Sequence, residues 1–172
     1  MVSSTPKNSG KIRRDVYVSV ADIAQSMGFN VPTGLALLPR HFEKGVKADL
    51  VHEGTAITIR KLWREAKVVE TPLEAPNEKL PCIHENSVDW IGPTVFIGAL
   101  AVTQNPAFVQ IALGVISNYV TDWFKGAVEG KKVRLSVVIE ETNTRKCTRI
   151  ECEGPPSGVE SLVSLAKEIR SD

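Results

Sequence analysis

The chain has 172 residues, of which 42% are hydrophobic and 24% are charged. These proportions are typical of one or two globular domains, and they exclude a collagen-like or wholly disordered chain. The net charge is +1, yet residues 1–14 alone carry +4, which leaves −3 for the rest. We therefore expect a basic disordered tail over residues 1–14 and a body that does not attract nucleic acid. The tail supplies the weak candidates for nucleic-acid contact: Lys7, Lys11, Arg13 and Arg14.

No continuous apolar stretch follows these basic residues, so we expect a cytoplasmic protein rather than a secreted one. Three cysteines, Cys82, Cys147 and Cys152, lack the C-x-x-C spacing of zinc and redox sites. We therefore expect these cysteines to be free thiols. The sequence predicts no cofactor and no bound metal.

The amino-terminal half predicts a mixed α/β body, which we place at residues 15–126. Alternating valines from Val16 predict a strand, and Ser19 begins a helix that ends near Gly28. A helix from Thr55 to Ala66 is favoured over a strand because its apolar residues share one helical face. Residues 19–31 also resemble the first helix and turn of a helix-turn-helix, but the prolines that follow leave little room for a recognition helix.

Residues 68–93 contain four prolines among acidic and polar residues. This composition predicts a long connection with at most a short strand near residues 80–84. Long connections in compact domains are often functional or mobile. We therefore expect this segment to be a lid or a partner-binding loop.

The most unusual feature is the segment from Trp90 to Thr121, which has no charged residue and no histidine over 32 positions. Asn105 and Pro106 divide it, because proline is tolerated at the start of a helix but breaks its interior. We therefore predict helices over 94–103 and 106–124, forming an apolar hairpin within residues 90–125. Such helices must be covered by the protein core, by a partner or by lipid.

The hairpin supports our leading functional hypothesis, a non-enzymatic interaction protein that acts as a homo-oligomer, an adaptor or a regulatory subunit. The expected partner is a second copy or another protein. A membrane-active hairpin and a DNA-binding regulator are weaker alternatives. The predicted interface residues are Phe96, Leu100, Phe108, Ile111, Val115 and Tyr119.

The carboxy-terminal region predicts a ββα unit over residues 127–172, as a separate domain or as part of the same one. Alternating apolar residues predict strands over 133–140 and 144–153, followed by a helix after the S-x-x-E capping box at Ser157. A two-residue loop at Thr142 would pair Val133 with Cys152. The whole chain is therefore expected to be an α+β protein.

Two His-Glu dipeptides provide the weak catalytic candidates His52, Glu53, His84 and Glu85. Histidine and carboxylate groups can bind a metal or transfer protons. Neither dipeptide completes an H-E-x-x-H motif, and no P-loop or G-x-S-x-G motif occurs. A small metal-dependent or acid/base enzyme is therefore the alternative hypothesis.

Overall fold

A computed structural model describes residues 11–84, 89–104, 106–125 and 130–170. The fold is α+β, as predicted. The helices are α1 (Val20–Ser26), α2 (Gly54–Glu65), α3 (Ala99–Gln104), α4 (Pro106–Trp123) and α5 (Gly158–Arg170). The strands are β1 (Lys11–Tyr17), β2 (Leu35–Leu38), β3 (His52–Glu53), β4 (Cys82–Ile83), β5 (Trp90–Ile97), β6 (Val133–Glu140) and β7 (Cys147–Gly154).

Five strands form one mixed sheet in the order β1-β7-β6-β5-β2, and β3 pairs with β4 in a separate parallel pair. Strands β5 and β6 are parallel, while the other neighbours in the sheet are antiparallel. A parallel pair requires a crossover connection, and α3 and α4 lie between β5 and β6 in the chain. The predicted α/β body and the ββα unit therefore contribute strands to the same sheet.

The helices α2, α4 and α5 cover one face of this sheet. Ile59 and Trp63 of α2 belong to the same buried cluster as Val95 and Val137 of the sheet. The indole Nε1 of Trp63 donates a hydrogen bond to the backbone oxygen of Ala112 in α4, at 3.0 Å. On the other face, α1 and the connection that follows β2 form a second, smaller core.

The amino-terminal predictions are confirmed in part. Ser19 caps α1 by accepting a hydrogen bond from the backbone N–H of Asp22, and Gly28 follows the helix with a φ of 75°. Residues 11–14, which we expected in the disordered tail, instead begin β1 and pair with β7. After α1 the chain enters β2, so no recognition helix follows it. The helix predicted from Thr55 is confirmed as α2.

The central segment differs from the prediction in its first half. The predicted helix over 106–124 is α4, but the predicted helix over 94–103 is wrong in its first half, since the chain up to Ile97 belongs to β5. Gly98 lies between the strand and α3, and only glycine fits there because a Cβ would lie 2.3 Å from the backbone oxygen of Thr33. The apolar helical pair is therefore α3 with α4, preceded by a buried strand.

The carboxy-terminal ββα unit is present as β6, β7 and α5. Its register is two residues away from the predicted one, because Val133 pairs with Gly154 rather than with Cys152. Asn143 and Arg145 both have positive φ in the connecting turn, which is longer than two residues. A shift of two keeps every side chain on its predicted face.

Candidate functional site

Helix α4 has an apolar side that is covered and an opposite, uncharged side that is not covered by the described residues. Its buried residues follow helical spacing and face the sheet, α2 and α5. The opposite side carries residues spaced alternately by four and three positions, as in a coiled-coil seam. We call this set the α4 seam, and it consists of Ala107, Ile111, Gly114, Asn118 and Thr121.

The α4 seam is open to solvent. Ile111 is 51% exposed, and Ala107, Asn118 and Thr121 are also exposed. A Cβ placed on Gly114 would meet no other atom within 4 Å. The adjacent helix α3 adds Leu100, which is 47% exposed. The seam therefore combines small, apolar and uncharged side chains on a surface with room for close approach.

The other two helices of this layer differ from α4. The outer side of α2 carries the exposed residues Lys61, Arg64 and Glu65, and the first turn of α5 carries the exposed residue Glu160. Charged side chains are the usual outer surface of an amphipathic helix. On α4, by contrast, Asp122 is the first charged residue. The uncharged outer side of α4 is therefore not a general property of this helical layer.

The predicted interface residues divide into three groups. Phe96 is fully buried in the smaller core beside Val138, so its assignment to an interface is wrong. Phe108, Val115 and Tyr119 are half-buried and pack against the main core. Leu100 and Ile111 are exposed, as an interface requires. Ile111 is the predicted interface residue that belongs to the α4 seam.

The described residues of the two His-Glu dipeptides are divided between two sides of β3. His52 and Glu53 are neighbours in β3, where successive side chains point to opposite sides. His52 is buried, and its Nε2 donates a hydrogen bond to Glu74 Oε1 at 2.5 Å. Glu53 faces away from this pair and accepts two hydrogen bonds from Arg40, at 2.7 and 2.9 Å.

His84 lies beyond the end of β4 and is exposed. Its ring packs against Gly54, where a Cβ would lie 2.8 Å from the His84 Nδ1. Glu85 is outside the described residues. Within the described ranges, no group of three or more His, Cys, Asp or Glu side chains could hold a metal ion. Of the three candidates that the structure describes, Glu53 and His84 line the same cavity, whereas the buried His52 lines a different one.

Sequence reasoning missed the partners of these residues, Glu74 and Arg40. Burial alone would raise the pKa of Glu74, but the hydrogen bond and charge of His52, together with Arg60, lower it overall. Glu74 is 22 positions from His52 and lies among the prolines of the long connection. The sequence carries no periodic signal that could link residues so far apart.

The three cysteines are free, as predicted. Burial raises the pKa of Cys147 to about 11 and also raises the pKa values of Cys152 and Cys82. Because the thiolate is the nucleophile, a raised pKa lowers thiol reactivity at neutral pH. The cysteines therefore give no support to covalent catalysis.

Three of the four weak nucleic-acid candidates lie in one strand. Lys7 is outside the described residues, while Lys11, Arg13 and Arg14 lie in β1. Arg13 Nη2 is 2.9 Å from Glu151 Oε1 on the neighbouring strand.

Among the helices of the described ranges, none has the length and apolarity needed to cross a membrane.

Comparisons with protein-family models, with curated proteins and with solved structures found no match for this chain.

Proposed function

We propose that the protein acts by association and that two copies meet through the α4 seam and the adjoining surface of α3. The observation that carries this proposal is that α4 has no charged residue before Asp122, in contrast to the exposed charged residues Lys61, Arg64 and Glu65 of α2. Surfaces of this kind are typical of contacts between proteins. Whether the pair then serves as an adaptor or a regulatory subunit is a further part of the same hypothesis.

A second copy suits this surface for geometric and electrostatic reasons. In a two-fold dimer the same patch meets itself, so any charged residue near the axis would face a like charge. The α4 seam has no charged residue and avoids this repulsion. Gly114 at its centre leaves room for the backbones of two helices to approach. Asn118 can form a hydrogen bond with its counterpart, as single asparagines do in paired helices.

Light scattering after size-exclusion chromatography, over a range of concentrations, measures the mass directly. We expect a dimer that dissociates on dilution. Ile111→Asp should weaken the dimer about 100-fold, because a buried unpaired carboxylate costs roughly 3 kcal/mol. Ile111 is a better position than Phe108, which packs against the core. An unchanged circular dichroism spectrum would show that the variant is folded.

Val46→Asp provides a matched control. Val46 is 47% exposed and lies in the connection that packs on the opposite face of the sheet. The same substitution there should leave the dimer intact. A wild-type protein that stays monomeric at every concentration would contradict the proposal. Equal assembly of wild type and Ile111→Asp would contradict it as well.

A further inference from the structure

A cavity of about 370 Å³ lies where β3 meets the first turn of α2. Its other walls come from the end of β4, the start of β5 and the last turns of α4. A volume of this size lies within the range of small-molecule sites, about 300 to 1,000 Å³. It is separate from the α4 seam, which lies on the other side of the helix.

The first feature of the cavity is the amino terminus of α2. The first N–H groups of a helix have no partner within the helix, and this end carries a partial positive charge. Glu53 occupies the capping position but makes no capping hydrogen bond, because its carboxylate is bound to Arg40. The hydroxyl of Thr55 donates instead to the backbone oxygen of Ile91. The helix start therefore has no side-chain cap.

The second, independent feature is Trp90, which lines the same cavity. Trp90 is only 1% exposed, and its indole Nε1 is buried without a hydrogen-bond partner among the described residues. A buried tryptophan N–H normally has an acceptor, so an unpaired one requires an explanation. The ring is fixed by its packing, since a Cβ on Gly92 would lie 2.4 Å from Trp90 Cζ3. A rigid donor that has no acceptor in the described part of the chain is suited to an acceptor carried by a ligand.

The third feature is an aromatic wall. Tyr119 packs edge-to-face on Trp90 with ring centroids 5.5 Å apart, and Trp123 packs on Tyr119 at 6.3 Å. Trp123 remains 49% exposed. Aromatic side chains in this arrangement can pack against the face or edge of a planar ligand. They provide apolar contact area beside the polar start of α2.

The acidic residues of the cavity do not define a cation site. Glu53 is bound to Arg40 through both of its oxygens. Asp89 accepts a hydrogen bond from the backbone N–H of Lys132 at 3.0 Å. Both carboxylates therefore already have partners. The remaining polar groups of the cavity are the start of α2, the indole N–H of Trp90 and the exposed ring of His84, and they favour a ligand that carries a hydrogen-bond acceptor. We propose that this cavity binds a planar aromatic ligand that carries a carboxylate.

Three probes of similar shape and different charge test this proposal: 2-naphthoate, 2-naphthamide and 2-naphthylmethylammonium. Saturation-transfer NMR with the full chain compares their binding. We expect the carboxylate to bind best, the amide more weakly and the ammonium not at all. The proposal would be overturned if no probe received saturation, or if the ammonium bound as tightly as the carboxylate.

Two variants locate the binding. Trp90→Phe removes the indole N–H and should weaken 2-naphthoate binding about fivefold. Trp123→Ala removes part of the aromatic wall at an exposed position, so the fold should be retained while binding falls by about fivefold. Val69→Ala changes an exposed residue outside the cavity and should bind as wild type. Unchanged binding in both tryptophan variants would contradict the assignment to this cavity.

Discussion

The connection before β5 and the helix α4 after it are held to the body in opposite ways. The connection, from Ala66 to Pro81, is fastened by ion pairs of Glu70 and Glu78 with basic residues of the body and by the hydrogen bond between Glu74 and His52. Helix α4 is held by apolar packing on its inner side, together with the hydrogen bond from Trp63 to its backbone.

The comparison shows that composition alone does not indicate how either segment is held. Prolines and acids predicted a lid or a partner-binding loop, yet the acidic side chains contact basic side chains of the body, and Thr71 and Leu73 also join the body through backbone hydrogen bonds. These contacts argue against a lid. The uncharged segment was expected to be covered by the protein core, by a partner or by lipid; in the single chain the core covers the inner side of α4, and the α4 seam is exposed. The segment expected to be a lid or a partner-binding loop is therefore fastened to the body, and the chain's own core covers only one side of the uncharged helix.

The largest effect is expected from removing the buried contact between His52 and Glu74, which holds the connection to the body. His52→Ala removes the hydrogen-bond partner of Glu74 and leaves that largely buried carboxylate with only the more distant charge of Arg60 to stabilise it. We expect the free energy of unfolding to fall by about 2 to 3 kcal/mol, measured by urea denaturation. Limited proteolysis should then cut within residues 66–81.

His84→Ala is the control for this variant, because His84 is an exposed histidine beyond the end of the strand that pairs with β3. Its effect on unfolding should be below about 0.5 kcal/mol. Equal losses from the two histidine variants would show that the connection does not depend on the His52–Glu74 pair.

A smaller effect is expected from pH. The pKa of Glu74 is lowered in the folded protein, so its charged form stabilises the fold at pH values above the ordinary glutamate pKa of about 4.3. This contribution is lost as the pH falls through the lowered pKa. Glu74→Gln should therefore flatten the acid limb of a plot of stability against pH. A plot parallel to that of wild type below pH 5 would contradict this role.

Much of the fold could be predicted because short-range patterns determine it. The S-x-x-E box before α5 and the caps of α1 are local signals, and the structure has these helices. Strand β5 could not be recognised, because a strand buried on both faces lacks alternation and cannot be told from a buried helix by periodicity. The register of β6 with β7 was also ambiguous, since a shift of two residues preserves both faces.

The sites were less predictable than the fold. Pairings such as Glu74 with His52, or Arg40 with Glu53, join residues that no sequence pattern relates. The uncharged segment was recognised, but sequence could not say which of its sides is covered. That depends on the position of α4 against the sheet and α2, which is a property of the tertiary packing.

The smallest effect is expected from Gly114→Ala, a variant that distinguishes the stability of α4 from its role in association. Gly114 lies inside the helix, and a Cβ there would meet nothing within 4 Å. Gly114→Ala should therefore stabilise the monomer by about 0.5 to 1 kcal/mol through helix propensity. If two seams approach closely at this glycine, the same methyl group should weaken the dimer. Urea denaturation should then show a higher free energy of unfolding of the monomer, while light scattering shows a weaker dimer. If the outer side of α4 only faces solvent, the variant would gain stability without any change in mass.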